Sequence, residues 1–173
     1  MHASIERGIV AAGLAPTVLR PGMIASNALL WWASQIRDGD VVRWPFAASE
    51  SAPIDVRDIA AVAALTLCDD RHAGGDYVLT GPESLTHEAQ VMTIADVLGR
   101  PLRFEELSPD AFRRAMEGRV PPAVTSMLLN AWAAAVGRDA FMTSNVADIT
   151  GRPARTFRQW AADHADAFRN PGS

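Results

Sequence analysis

The 173-residue chain is 49% hydrophobic and 21% charged, an ordinary globular balance that excludes disorder, collagen and coiled coil and suits one domain with a real core. Sixteen basic against twenty acidic residues give a net charge of −4, so no global positive field draws nucleic acid or an anionic membrane. No apolar run approaches the roughly 18 residues of a spanning helix, and Glu6-Arg7 stands where a signal peptide would carry its apolar core, so a soluble, cytoplasmic protein is expected.

Residues 3–13 have helical spacing, with Ile5, Ile9 and Ala12 on one side and Gly13 as a C-terminal stop. Pro16 breaks this helix, and Thr17-Val18-Leu19 is a short β-branched strand that Pro21-Gly22 ends. A helix over 23–37 follows with apolar residues on two faces: Ile24, Ala28 and Trp31 on one, Ala25, Leu29, Trp32 and Ile36 on the other. One buried stripe does not need both. Either the helix is embedded in the core, or its second face lines a ligand pocket or a partner interface. After Asp38-Gly39-Asp40, Val41–Trp44 is a brief strand.

Asp55 and Asp58 open the next helix, where both carboxylates suit the positive end of the dipole, and Ile59, Val62, Ala63, Thr66 and Leu67 supply its stripe. Cys68, the only cysteine, closes that helix and is expected to be a small buried hydrophobe; one thiol makes neither a disulfide framework nor a zinc knuckle. Gly74-Gly75 turns the chain into a strand over 76–80 that Gly81-Pro82 ends. Thr86 caps a helix with Val91, Ile94, Ala95 and Leu98 as its stripe and Gly99 as its stop. Leu102–Glu105 alternates as a strand, and Ser108 with Pro109 starts another helix.

Val124, Met127, Leu128, Ala131, Trp132 and Ala135 form the most regular stripe, and Phe157, Trp160, Ala161, His164 and Phe168 the last. His164 shares that apolar side and is expected to pack rather than to react; with His2, His72 and His87 it forms no ligand spacing, so no metal site is expected. About four strands alternate with about seven helices, which gives an α/β class.

Three stretches carry a family resemblance: Thr17–Met23 with Asn27 four residues later, Ile54–Ala60, and Tyr77–Thr86 followed by Leu98-Gly99-Arg100-Pro101. With the ending Thr150–Phe157 and Trp160, they resemble the NmrA-like NAD(P)-binding proteins, an atypical branch of the short-chain dehydrogenases. The resemblance covers nearly the whole chain but only the C-terminal part of such a protein. It implies the end of an NAD(P)-binding Rossmann-like core over residues 1–72 and a small, mostly helical substrate-side region over 73–173, within a single domain. The glycine-rich dinucleotide loop of the family has no counterpart here, so the N-terminal dinucleotide-binding half is expected to be missing and the chain to be truncated.

The resemblance further implies NADP or NAD as cofactor. Pro21, Gly22 and Met23 would wall the nicotinamide, and Asn27 and Trp31 would face the substrate from the following helix. It implies hydride transfer to a small organic substrate in the full-length parent, with little or no activity in the isolated chain. No catalytic residue is assigned: the chain contains no lysine, so the usual tyrosine–lysine pair is lacking, and Tyr77 falls away from the family's tyrosine position. Arg20 is expected to form a structural ion pair with Asp55 or Asp58. The rival reading is a non-catalytic NAD(P)-related binding or regulatory module acting through a partner, either a homo-oligomer or an N-terminal complementing chain, with Trp31 and Trp32 at its interface.

Overall fold

A computed structural model describes residues 2–170. In chain order the elements are α1 (His2–Ala11), β1 (Val18–Pro21), α2 (Asn27–Asp38), β2 (Val41–Pro45), β3 (Glu50–Ser51), α3 (Val56–Cys68), β4 (Asp76–Leu79), β5 (Leu85–Thr86), α4 (His87–Leu98), β6 (Arg103–Leu107), α5 (Pro109–Met116), α6 (Pro122–Ala134), α7 (Asn145–Thr150) and α8 (Phe157–Asp163). Single 3-10 turns stand at Asp70–His72 and Ala165–Phe168. The α/β class and the four principal strands of the sequence reading are present. The two-residue strands β3 and β5, and α7, are too short to leave a periodic signal.

The strands form three ribbons: β1 with β4 and β2 with β6, both parallel, and β3 with β5, antiparallel. In the first, Val18 lies opposite Asp76 and Pro21 opposite Leu79. The bonds Val18 N–H to Gly75 C=O (2.8 Å) and Gly22 N–H to Leu79 C=O (2.9 Å) turn the even positions of β1 toward β4. Leu19 therefore presents its N–H and C=O to the opposite edge, which pairs with no strand among the described residues. The outer edge of β4 is occupied, because the Val78 carbonyl accepts from Thr143 Oγ1 (2.7 Å) and Asn145 Nδ2 (2.9 Å).

Arg20 fastens this ribbon at the surface, pairing with Asp76 on β4 (2.8 Å) and Glu6 on α1 (2.9 Å) rather than with Asp55 or Asp58. Those two carboxylates are engaged elsewhere. Asp55 caps α3 and grips Arg57; burial pushes its carboxyl up, and the Arg57 hydrogen bonds more than offset this and hold it below the usual carboxylate range. Asp58, 4% exposed, accepts from the Arg155 backbone N–H (2.7 Å) and from its guanidinium, which ties α3 to the segment before α8. Capping explains Asp55 but not Asp58.

The main core gathers α2, β2, α4, α5, α6 and α8. Ala28, Trp32, Ala33 and Ile36 form one buried stripe of α2, and Val42, Trp44, Ile94, Phe112, Leu129, Trp132, Phe157 and Trp160 meet it. A smaller cluster of Ile54, Val62, Leu79 and Val146 lies beneath β1 and β4. The two adjacent tryptophans have different fates: Trp32 is fully buried and Trp31 is half-buried. Trp32 is therefore core and is not available to a partner interface.

Several periodic assignments change in three dimensions. Helix α2 starts at Asn27 instead of 23, because Ile24 forms a parallel bridge with Ile54, with Ala25 N–H to Ile54 C=O and Ile54 N–H to Met23 C=O both at 2.9 Å. In α6, Met127 is 60% exposed, and Leu129, off the predicted stripe, is buried in its stead. Cys68 is exposed, because α3 turns its last residues to the surface, where Leu67 is 85% exposed. The final helix breaks at His164, whose ring stacks on Trp160 at 4.8 Å and whose Nδ1 meets the Trp160 carbonyl at 2.8 Å, a packing role as expected.

Candidate functional site

Two cavities take up Gly22, Met23 and Trp31 among the residues that the sequence singles out, while Pro21 and Asn27 line neither. The smaller, about 350 Å³, lies at the carboxyl ends of β1 and β4, where parallel strands leave room for ligands. Gly22, Met23, Glu50, Ser51 and Thr80 line it together with Ala134, Ala135 and residues 138–141. Pro21 and Gly22 are exposed and Met23 is half-buried. A Cβ at Gly22 would meet the Leu79 carbonyl at 3.6 Å and the Thr80 methyl at 3.9 Å, both ordinary van der Waals contacts, so the glycine leaves bare backbone at the cavity wall where a Cβ would fit without a clash.

The floor of this cavity is held by polar contacts. Ser84 Oγ donates to Glu50 at 2.5 Å and accepts from Ala140 N–H at 2.8 Å, and Thr143 N–H donates to Thr80 Oγ1 at 3.0 Å. These bonds lay the segment after α6 across the strand ends. Phe46, just beyond β2, has a φ of 54°, a strained value for a bulky residue, and it turns the chain back so that β3 reaches the cavity. Glu50, Ser51 and Thr80 escaped the sequence reading because nothing in their local pattern marks them as neighbours of Gly22. Asn27 is half-buried one turn from Met23, and its Nδ2 lies 3.8 Å from Met23 Sδ, a weak contact.

The larger cavity, about 730 Å³, is bounded by α2, β2, α5 and the first turns of α6. Trp31 lines it, stacked on Trp44 with ring centres 5.5 Å apart and planes 26° off parallel. Phe112 meets Trp44 edge-on at 4.8 Å, and Met116, Val124 and Leu128 complete an apolar wall. The structure thus groups Gly22 and Met23 in one cavity and Trp31 in the other.

Behind Trp31 lies a buried aromatic cluster. His87, 1% exposed, sits edge-on to Trp31, Trp32 and Trp132, at 6.2, 6.1 and 5.3 Å, and its Nδ1 is 3.2 Å from the Pro45 carbonyl. Burial pushes the His87 imidazolium down from its ordinary range, and hydrogen bonds with the Pro45 and Phe46 carbonyls offset only part of this. Above about pH 6.5 both folded and unfolded states are neutral here. Below it, the unfolded chain takes up a proton that the fold resists, so acidification destabilises by up to about 1.4 kcal/mol per pH unit. Thermal melts between pH 7 and pH 5 should show this slope, and His87→Gln should flatten it; equal slopes in the two proteins would acquit His87.

The hydroxyl of Ser84 meets the Glu50 carboxylate at the smaller cavity, but it also accepts from Ala140 N–H and Ser84 does not line the opening. Tyr77 bonds His72 Nδ1 at 2.8 Å near the amino end of β4, away from the carboxyl-end cavity. Among the described residues no cluster of three histidine, cysteine or acidic side chains is gathered for a metal, and no helix is long and apolar enough to cross a membrane.

No family model matches the chain. It is 42% identical over 164 residues to (4-alkanoyl-5-oxo-2,5-dihydrofuran-3-yl)methyl phosphate reductase of Streptomyces griseus, an alignment covering 94% of this chain and 58% of the relative. It is 33% identical over 165 residues to NAD(P)H azoreductase of Xenophilus azovorans, covering 94% and 57%. Among solved structures, the NADPH complex of the NADPH-dependent quinone oxidoreductase of Escherichia coli superposes with a TM-score of 0.78 at 22% identity, covering 94% of this chain and 58% of that one. The Citrobacter triphenylmethane reductase superposes at 0.69 and 13% identity, covering 84% and 51%. The fold is that of NAD(P)-binding reductases, and the chain spans a little under three-fifths of the curated relatives it matches.

Proposed function

We propose that this chain is the carboxyl-terminal, substrate-side part of an NmrA-like NAD(P)H-dependent reductase. In this reading the nicotinamide end of NADPH or NADH lies against Pro21-Gly22-Met23, and a small organic acceptor is met from α2 by Asn27 and Trp31. The observation that carries it is the bare backbone of Gly22 in the wall of a cavity at the carboxyl ends of two parallel strands, in a chain similar to reductases over 94% of its length. A flat ring can lie on glycine backbone where any side chain would hold it off.

The residues present fit one end of a dinucleotide. A pyrophosphate asks for a glycine-rich turn between a strand and a helix, and the described residues contain none. We place the unit that supplies it along the edge of β1 away from β4, where the N–H and C=O of Leu19 meet no partner among the described residues. A complementing N-terminal segment or chain there is the partner this reading requires.

The cofactor, when bound, supplies the hydride. The share of this chain is position and shielding. The ladder bond from Gly22 to Leu79 fixes the turn, the Thr80–Thr143 and Ser84–Ala140 bonds hold the covering segment over it, and Met23 with Ala134, Ala135 and residues 138–141 keeps water from the ring face.

Titrating NADPH into the protein while following nicotinamide and tryptophan emission should give a saturable change. Gly22→Leu should weaken the binding about tenfold or more without moving the melting temperature, since the wild-type backbone has room for a Cβ but a ring on the turn does not. A sample that melts cooperatively yet shows no saturation, both alone and joined to the N-terminal half of a similar reductase, would overturn the reading.

A further inference from the structure

We infer that the 730 Å³ cavity beside Trp31 is a binding site for a flat aromatic molecule carrying one anionic group. Its volume lies in the range of small-molecule pockets. The stacked pair Trp31 and Trp44, with Phe112 edge-on behind, offers a broad rigid ring face. Opposite, Ala111 and Ala115 of α5 present small side chains, which leaves a gap where larger residues would have closed the core.

The charged groups of the wall have one sign. It contains two arginines, Arg43 and Arg119, and no acidic residue, in a chain whose net charge is −4. Arg43 is committed to Glu105 at 2.8 Å. Arg119 has no ion pair and no side-chain hydrogen bond among the described residues, and it sits between Met116 and Val120, both of which line the cavity. The amide of Gln35 is engaged by Arg43 N–H at 2.8 Å, and Thr125 Oγ1 turns to the Pro121 carbonyl at 3.5 Å. The guanidinium of Arg119 is thus the free cation at an apolar, tryptophan-floored opening. A carboxylate, sulfonate or phosphate on the edge of an aromatic ring meets both features at once, because the ring buries against the indoles while the anion stays at the half-wet rim.

The inference deepens the reductase reading, on which calling the bound molecule a substrate rests. Binding itself is tested without cofactor, so the two can fail separately. Naphthalene-2-sulfonate, titrated against tryptophan emission and by calorimetry, should bind one per chain. The neutral naphthalene-2-sulfonamide should bind about five- to tenfold more weakly, since Arg119 is solvent-exposed and its charge partly screened. Arg119→Gln should bring the sulfonate down to the sulfonamide's affinity and leave the sulfonamide unchanged. Ala115→Trp should abolish both. Sulfonate binding that Arg119→Gln leaves intact, equal binding by Ala115→Trp, or no saturable binding to the wild type would each overturn the inference. Lack of NADPH binding, both by the chain alone and joined to the N-terminal half of a similar reductase, would sink only the reductase reading.

Discussion

Replacing Trp32 by alanine is expected to cost about 3–5 kcal/mol of folding stability, while the same change at its neighbour Trp31 costs about half of that or less. The two residues are adjacent, equal in size and part of one aromatic cluster, so the contrast isolates burial. Trp32 is fully enclosed by the core stripe of α2 and the rings of Trp44 and His87, and its removal leaves a void that fixed elements on several sides cannot collapse into. Trp31 already borders open space on the side of the large cavity. For a chain of this size each kcal/mol moves the melting temperature by about 2–4 °C, so Trp32→Ala should melt on the order of 10 °C lower. Denaturant midpoints of the two variants check the difference. A Trp32→Ala protein that kept its monomer stability and lost only self-association would make this residue an interface anchor after all.

Arg155→Ala is expected to destabilise by about 2–4 kcal/mol, far more than loss of a surface ion pair such as Arg113–Asp110. Its partner Asp58 is 4% exposed and would keep only the Arg155 backbone N–H as a donor. The Arg155 side chain is 38% exposed, which places the figure toward the lower end. Arg155→Met tests the cause. It retains most of the aliphatic stem, so a loss nearly as large as alanine's points to the stranded carboxylate, and a near-complete recovery points to packing. Equal, small losses at Arg155 and Arg113 would show that the Asp58 pair does not hold α3 to α8.

The elements that the sequence announces are those whose ends are chemically marked. Thr86, Ser108 and Asp55 cap their helices as their residue types demand, and Gly99 closes α4 with a φ of 62°. Asp58 looks the same in sequence as Asp55, but its partner is 97 positions away, and no local rule reveals it. The apolar stripe of α6 misleads for a related reason. Val124 borders a cavity and Met127 faces the surface, so both are apolar without being core. Of the site, the turn at Pro21-Gly22-Met23 is legible because proline and glycine punctuate a strand end. The cavity around it is not, since β3 and the segment over 134–141 arrive from more than twenty-five positions away.

The capped edge of β4 has a consequence for how this sheet can grow. With the Val78 carbonyl already taken by Thr143 and Asn145, no strand can join on that side without stripping two hydrogen bonds. A strand that joined this ribbon would therefore do so along β1. There, too, it has a built-in end: Pro21 faces the same side as Leu19 but has no N–H to give, so an incoming ladder finds a donor at Leu19 and none at Pro21. A joining strand would therefore be left with an acceptor alone at Pro21, and it would end there, because the next carbonyl on that side, of Met23, is already taken by Ile54 N–H.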